Sequence, residues 1–259
     1  MIKLVVTIKN RTEHFLQSIP FLLSQYGADY ELVIVDYYSN DNFNDVFDTE
    51  INKRKPTYSK FLKSIYKISL KEDLKFNLKK AKNLGLAFFK DYDNNSIVCF
   101  SDIDTFISMN YLSFWSEKTF LNKTFCTSRK QESMACLPSR IQPEINNGNC
   151  FIHIQDFIEI GGYDESMLTW GGDDDDLYHR LKLKGLREIN PYNSKDALQY
   201  SILHGEELRL ASLEVKERAP KEETFNKIYS QKTFFNENSN FLNEDFAKSL
   251  ATINKIYEK

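Results

Sequence analysis

Apolar residues fall into two rhythms along the first half of this chain. Residues 3–8 (KLVVTI) and 31–36 (ELVIVD) are short, β-branched and apolar through successive positions, as strands covered on both faces are. Between them, residues 13–25 carry Phe15, Leu16, Ile19, Leu22 and Leu23 at near-helical spacing, with Thr12 placed as an N-cap. The order strand, helix, strand predicts a β-α-β unit. Residues 74–90 predict another helix, with Leu74, Leu78, Ala81 and Leu84 or Leu86 inward and lysines outward. Residues 96–100 (SIVCF) and 149–154 predict further strands, the second followed by a short apolar segment at 157–160. Aspartates at 173–176 open a helical run to Leu183, which Gly185 breaks. From about residue 206 the pattern is charged and helical, and residues 241–257 place Phe246, Leu250, Ile253 and Tyr257 on one stripe. The chain therefore reads as a core, residues 1–205, with a helical C-terminal extension, residues 206–259.

A chain of 259 residues buries roughly three quarters of its unfolded surface and needs no covalent staples. Hydrophobic content of 41% and charged content of 27% exclude wholesale disorder. A net charge of -3 removes the argument for a nucleic-acid binder built on overall charge. Locally, residues 52–90 hold twelve Lys or Arg against Glu72 and Asp73. That stretch reads either as a solvated lysine face or as an attractor of polyphosphate or of an anionic membrane surface. Cys99, Cys126, Cys136 and Cys150 form no CxxC pair, so reduced thiols in a cytoplasmic protein are expected. The opening MIKLVVTIKNR lacks a signal-type apolar core, and no run of about 20 apolar residues occurs. Membrane contact, if made, is then peripheral and at the inner face.

Candidate chemistry lies in three places. Asp102-x-Asp104 ends the SIVCF strand, where ligands bind in open sheets fed by helices. Two adjacent carboxylates repel unless a cation neutralises them, and hard oxygen ligands suit Mg²⁺ or Mn²⁺ shared with phosphate. The second place is GGYDE at 161–165 followed by WGGDDDD at 170–176. Aspartates at a helix start answer the macrodipole, but successive side chains diverge by about 100°, so only one or two can face a given pocket. One could act as a general base beside a Trp that stacks on a sugar ring. The third is His204 before Gly205, a structural histidine or a metal-facing imidazole.

These segments, in this order, resemble the nucleotide-sugar glycosyltransferases of the GT-A type. VVTIKNR and VDYYSND resemble N-terminal segments of the inverting family, and GGYDE and WGGDDDD are similar to motifs of β-1,4-galactosyltransferases and chondroitin-polymerase transferase domains, the resemblance covering about residues 3–205. The resemblance implies an α/β, Rossmann-like mixed central sheet flanked by helices, with a nucleotide-binding half at about 1–105 and an acceptor-binding half at about 106–205. It implies that Thr7, Arg11, Asp36, Lys82, Asn83 and Asp102 line the nucleotide pocket. Asp104 and Asp102, with His204, would hold Mn²⁺ or Mg²⁺. Asp174 matches the catalytic base, and Trp170, Gly172, Asp173 and Asp175 would hold the acceptor. Asp173 stands where the family's WGGED carries Glu, one methylene longer. The expected activity is metal-dependent, inverting transfer from a UDP-linked donor sugar to a glycan hydroxyl. Two rivals have sequence features of their own. Asp102-Ile103-Asp104-Thr105 fits the D-x-D-x-T of haloacid-dehalogenase-like phosphatases, although about a hundred residues precede it. A calcium-dependent carbohydrate-binding protein would also use acidic runs and Trp, but residues 173–176 lack the alternating order of an EF-hand loop.

Overall fold

The computed structural model describes residues 1–89, 92–93, 95–119, 123–127, 141–142, 149–168, 171–189, 198–202 and 221–259. Its strands are β1 (Ile2–Ile8), β2 (Tyr30–Asp36), β3 (Leu62–Leu70), β4 (Ile97–Asp102), β5 (Thr105–Ile107), β6 (Thr124–Thr127), β7 (Ile141–Gln142), β8 (Cys150–His153), β9 (Arg187–Ile189), β10 (Gln199–Ile202) and β11 (Ala251–Glu258). Its helices are α1 (Thr12–Leu23), α2 (Phe43–Arg54), α3 (Leu78–Ala87), α4 (Tyr111–Thr119), α5 (Ile154–Glu159), α6 (Asp173–Leu183), α7 (Lys221–Ser230) and α8 (Glu244–Leu250).

Eight strands form one sheet in the order β11-β3-β2-β1-β4-β8-β6-β9. The run β3-β2-β1-β4 is parallel, while β8 lies antiparallel between β4 and β6, and β11 antiparallel against β3. A small second sheet, β5-β10-β7, stands apart. The chain steps outward from β1 to β2 and β3, then returns to place β4 on the other side of β1. The crevice at the carboxyl ends of β1 and β4 is therefore the topological switch point, where such sheets bind ligands.

Strand alternation sorts the core into two layers. Ile2, Leu4, Val6 and Ile8 of β1 pack with Phe15 and Ile19 of α1, Phe43 and Phe47 of α2, and Trp115 of α4. Val5 faces the other way, into a layer built with Ala81 and Leu84 of α3, Phe157 of α5 and Leu177 and Leu181 of α6. Val98 and Phe100 of β4 belong to that second layer, so Asp102, two residues on, extends the same face. Gly85 lets α3 lie directly on the sheet, because a Cβ there would run into the Val5 side chain.

Several expectations need correcting. Thr12 is not a cap: α1 starts with no side-chain cap, and Asp41 of the β2–α2 loop accepts the Thr12 N–H at 2.9 Å instead. Leu16 points outward, being 36% exposed. The second predicted helix begins at Leu78, where Asn77 accepts from the N–H groups of Lys79 and Lys80; Leu74 lies outside it. Its lysines are not all outward, since Lys79 and Lys82 are buried. The basic stretch also hides a strand, β3, whose Lys67 is buried over the Phe47 ring. The C-terminal stripe is not one helix. α8 ends at Leu250, and the next eight residues form β11, because pairing from Ala251↔Leu70 to Glu258↔Ser64 satisfies the open edge of β3. The extension at 206–259 is thus helical in part only, and its last strand belongs to the main sheet.

Candidate active site

The switch-point crevice gathers the ends of β1, β2 and β4. Thr7 is in register with Val35 on one side and Asp102 on the other. Arg11 precedes α1, half-buried. Asp36 ends β2, and its Oδ1 accepts the Ser39 N–H at 2.8 Å; burial pushes its carboxyl up, opposed by the Ser39 N–H and hydroxyl. The β1–α1 and β2–α2 loops are laced together, with Asn10 N–H on Ser39 Oγ at 3.0 Å and Asn40 N–H on Asn10 Oδ1 at 2.8 Å. Asn10, Tyr38 and Asn42 in these loops all have positive φ, of 53°, 61° and 63°. For Tyr38, a bulky residue, that conformation is strained.

Asp102 closes β4, and Asp104 follows within the turn to β5; both are half-buried. The Ile202 N–H of β10 donates to the Asp104 carbonyl at 2.7 Å, so the chain two residues before His204 is held at Asp104. His204 itself and Trp170 lie outside the described residues. Among the described residues no group of three metal-binding side chains occurs. The two aspartates offer hard oxygen donors, a set that fits a divalent ion sharing its remaining positions with phosphate oxygens.

The four aspartates at the start of α6 separate according to the helical turn. Gly172 sits before them in the left-handed region, at φ 85°, with a Cβ position only 2.6 Å from Thr224 Cγ2 of α7. Asp173 turns inward, its Oδ1 3.8 Å from Lys79 Nζ. Its buried Oδ2 has no hydrogen-bond partner among the described residues. Asp174 Oδ1 lies 3.5 Å from both Lys82 Nζ and the Tyr163 hydroxyl. Asp175 stays half-buried. Asp176 is structural: Oδ2 accepts from Arg180 Nε at 2.9 Å and Nη2 at 2.7 Å, and Arg180 Nη1 donates to the Ile160 carbonyl at 2.9 Å.

Charge couples these elements into one site. Burial, with the charges of Asp173, Asp102 and Asp175, pushes the Asp174 carboxyl up to about 7 against the pull of Lys82. Burial acts to lower Lys82, but Asp174, Asp102 and Asp173 outweigh it and hold the ammonium charged. Burial would raise Asp173 as well, yet Lys79 and Lys82 bring its carboxyl below the ordinary range. Lys82 therefore senses the end of β4 and the start of α6 together. The carboxylates of the D-x-D segment and of the DDDD segment share a neighbourhood.

Asn83 does not offer its amide to a pocket. Fully buried, it donates to the Tyr163 carbonyl at 2.9 Å and to Glu165 Oε1 at 2.8 Å, and accepts the Tyr163 N–H at 2.9 Å. It braces GGYDE. Lys82, 1% exposed, faces Asp174. The C-terminal segment completes the brace: Asn236 Nδ2 donates to the carbonyls of Gly161 and Tyr163, each at 3.1 Å, and Phe241 N–H donates to Glu165 Oε1 at 2.8 Å. The sequence pattern marks Tyr163 and Glu165 only as members of GGYDE, and Lys79, Arg180 and Asn236 belong to none of its candidate motifs. Two of them had a signal. Arg180 stands four residues after Asp176, the spacing of a helical ion pair, and Lys79, Lys82 and Leu86 share one face of α3.

Residues 136–204 match a family model described as the N-terminal domain of galactosyltransferase. The chain is 31% identical over 128 residues to β-1,4-galactosyltransferase 1 of Bos taurus, a match covering 49% of this chain and 30% of that protein. Among solved structures, the mannosyltransferase PcManGT of Pyrobaculum calidifontis, in complex with GDP-Man and Mn²⁺, superposes with a TM-score of 0.57 at 17% identity, covering 74% of this chain and 55% of that one. The catalytic domain of Drosophila β-1,4-galactosyltransferase 7, in complex with xylobiose, superposes with a TM-score of 0.51 at 15% identity, covering 90% and 82%. This chain has the GT-A glycosyltransferase fold, and its residues 136–204, which carry the GGYDE and DDDD segments of the candidate site, are similar to galactosyltransferases.

Proposed function

We propose that the chain is a metal-dependent, inverting glycosyltransferase that moves a sugar from a UDP-linked donor to a hydroxyl of a glycan acceptor. The observation that carries this reading is the meeting of Asp174 with Lys82 in the electrostatic field of Asp102, at the carboxyl end of the sheet. The resemblance of GGYDE and WGGDDDD to motifs of β-1,4-galactosyltransferases supports the UDP-linked donor, and the Mn²⁺ held by the mannosyltransferase supports a divalent ion.

In this reading Thr7, Arg11 and Asp36 line the nucleotide end of the crevice. Asp104 and Asp102, with His204, would hold Mn²⁺ or Mg²⁺. When bound, that ion supplies Lewis-acid stabilisation of the departing phosphate charge. Asp174 takes the proton of the acceptor hydroxyl, whose oxygen attacks the anomeric carbon as the bond to phosphate breaks; the electron pair of that bond leaves with the nucleoside diphosphate. A raised pKa suits this task, since a base near neutrality combines ionisation with proton affinity. Asp173 Oδ2, buried with no hydrogen-bond donor among the described residues, would accept from a second acceptor hydroxyl, and Gly172, Asp175 and Trp170 would help to hold the acceptor.

The test is a donor screen with and without Mn²⁺, reading nucleoside diphosphate release. Release from a UDP-sugar only when both Mn²⁺ and a saccharide acceptor are present is the expected result. Release of inorganic phosphate from a simple phosphomonoester, with no response to any nucleotide sugar, would overturn the reading.

A further inference from the structure

Lys82 is a lysine in the interior layer of α3, with 1% of its surface exposed. Its surroundings are specific: Nζ lies 3.5 Å from Asp174 Oδ1 and 3.5 Å from the Tyr163 hydroxyl, and 4.8 Å from the centre of the Tyr163 ring. One turn earlier, Lys79 Nζ lies 3.8 Å from Asp173 Oδ1. Two lysines of one helix thus face two consecutive aspartates of another.

We propose that Lys82 is a positioning residue for the base: its buried ammonium fixes Asp174 by Oδ1, so that Oδ2 is the oxygen that takes the acceptor proton. This rests on the glycosyltransferase reading above and adds the element that orients and charges its base. The groups facing Asp174 are Lys82 from α3, Asp102 from β4, Asp173 and Asp175 from α6, and Tyr163 and Cys150 from the GGYDE loop and β8. Lys82 supplies the positive charge named among them. Buried hydroxyl and thiol groups, both pushed up by burial, supply none. With Lys82 in place, Asp174 is ionised often enough near neutral pH to act. Removing it takes away the pull that opposes burial, so the carboxyl moves up.

The test follows the Asp174 carboxyl directly, by ¹³C NMR titration of the full chain, with the Asp174 resonance identified by its loss in Asp174→Asn. In Lys82→Met the midpoint is expected to move up by about one pH unit or more, and in Lys82→Arg to stay near the parent value. Lys82→Gln takes the place of Lys82→Met should that variant not fold. The pH profile of transfer is expected to move in parallel, a displacement that a purely structural loss, lowering turnover equally at every pH, does not produce. An unmoved midpoint in the neutral variant, or a Lys82→Arg protein that titrates like it, would overturn the proposal. A parent protein with the titration intact but no transfer to any saccharide would instead count against the transferase reading.

Discussion

Lys82 Nζ and Asp174 Oδ1 stand 3.5 Å apart, one from the helix after β3 and the other from the helix after the WGG segment. The two residues are far apart in the chain, and GT-A topology brings them together. α3 and α6 both pack on the face of the sheet that carries Val5 and Phe100, and that face ends at Asp102. The result is a buried charge cluster at the switch point, in which each member's ionisation depends on the others.

Asp174 supplies the first expectation. Its carboxyl is raised to about 7, so the carboxylate, the base of the proposed reaction, is present above that pH and disappears as pH falls through it. Transfer should rise about tenfold per pH unit below the midpoint and level off above it. Asp174→Asn should keep donor binding and lose transfer by at least about a hundredfold. Steady-state rates across the pH range, with nucleotide titration calorimetry on the variant, check both.

Asp104→Ala should abolish the Mn²⁺-dependent part of UDP binding while leaving the fold intact, because its half-buried side chain lies in a turn outside the apolar core. Calorimetry with UDP, with and without Mn²⁺, reads the difference. Equal affinity in parent and variant at saturating Mn²⁺ would remove Asp104 from the metal site.

The Asp176–Arg180 pair is buried on both sides, at 2% and 3% exposure. Replacing Asp176 by Ala leaves an unpaired guanidinium inside, at a cost of about 3–5 kcal/mol. Urea unfolding of Asp176→Ala should report that loss. Asp175→Ala, at a half-buried neighbour, should lie within about 1 kcal/mol of the parent.

Asn236→Ala tests the brace. It removes two hydrogen bonds to the Gly161 and Tyr163 carbonyls, worth about 1–3 kcal/mol where acceptors are left buried. Because the loop it holds carries Tyr163, turnover should fall together with stability. Unfolding curves and rates measured on one preparation show whether the two losses coincide.

Much of this was legible in the chain because burial on both faces leaves a plain mark. KLVVTI, ELVIVD and SIVCF read as strands, and they are the parallel centre of the sheet. β3 is hard to read because Lys63 and Lys67 interrupt its apolar positions, and Lys67 is accommodated by the rings of Phe43 and Phe47 and the side-chain oxygen of Asn44, all of α2. β11 is hard to read because Phe246 and Leu250, then Ile253 and Tyr257, mimic a helical stripe; pairing with β3, a tertiary event, decides otherwise. At the site, the acidic motifs were visible as types in order. Their division of labour was not, because it depends on which partner each aspartate meets: Lys79, Lys82 or Arg180. The inward lysines of α3 were hidden by the habit of placing lysine in solvent, a rule that fails where paired carboxylates wait inside.

The late arrival of β11 bears on how the protein is made. β3 emerges from the ribosome early, yet its outer neighbour is translated only after every other described element of the sheet. Until then a nine-residue row of backbone donors and acceptors stays open, a template for pairing with another nascent chain. Products that stop short of residue 251 are therefore expected to be recognised by chaperones or to associate through that row. Translation through this strand seals the sheet.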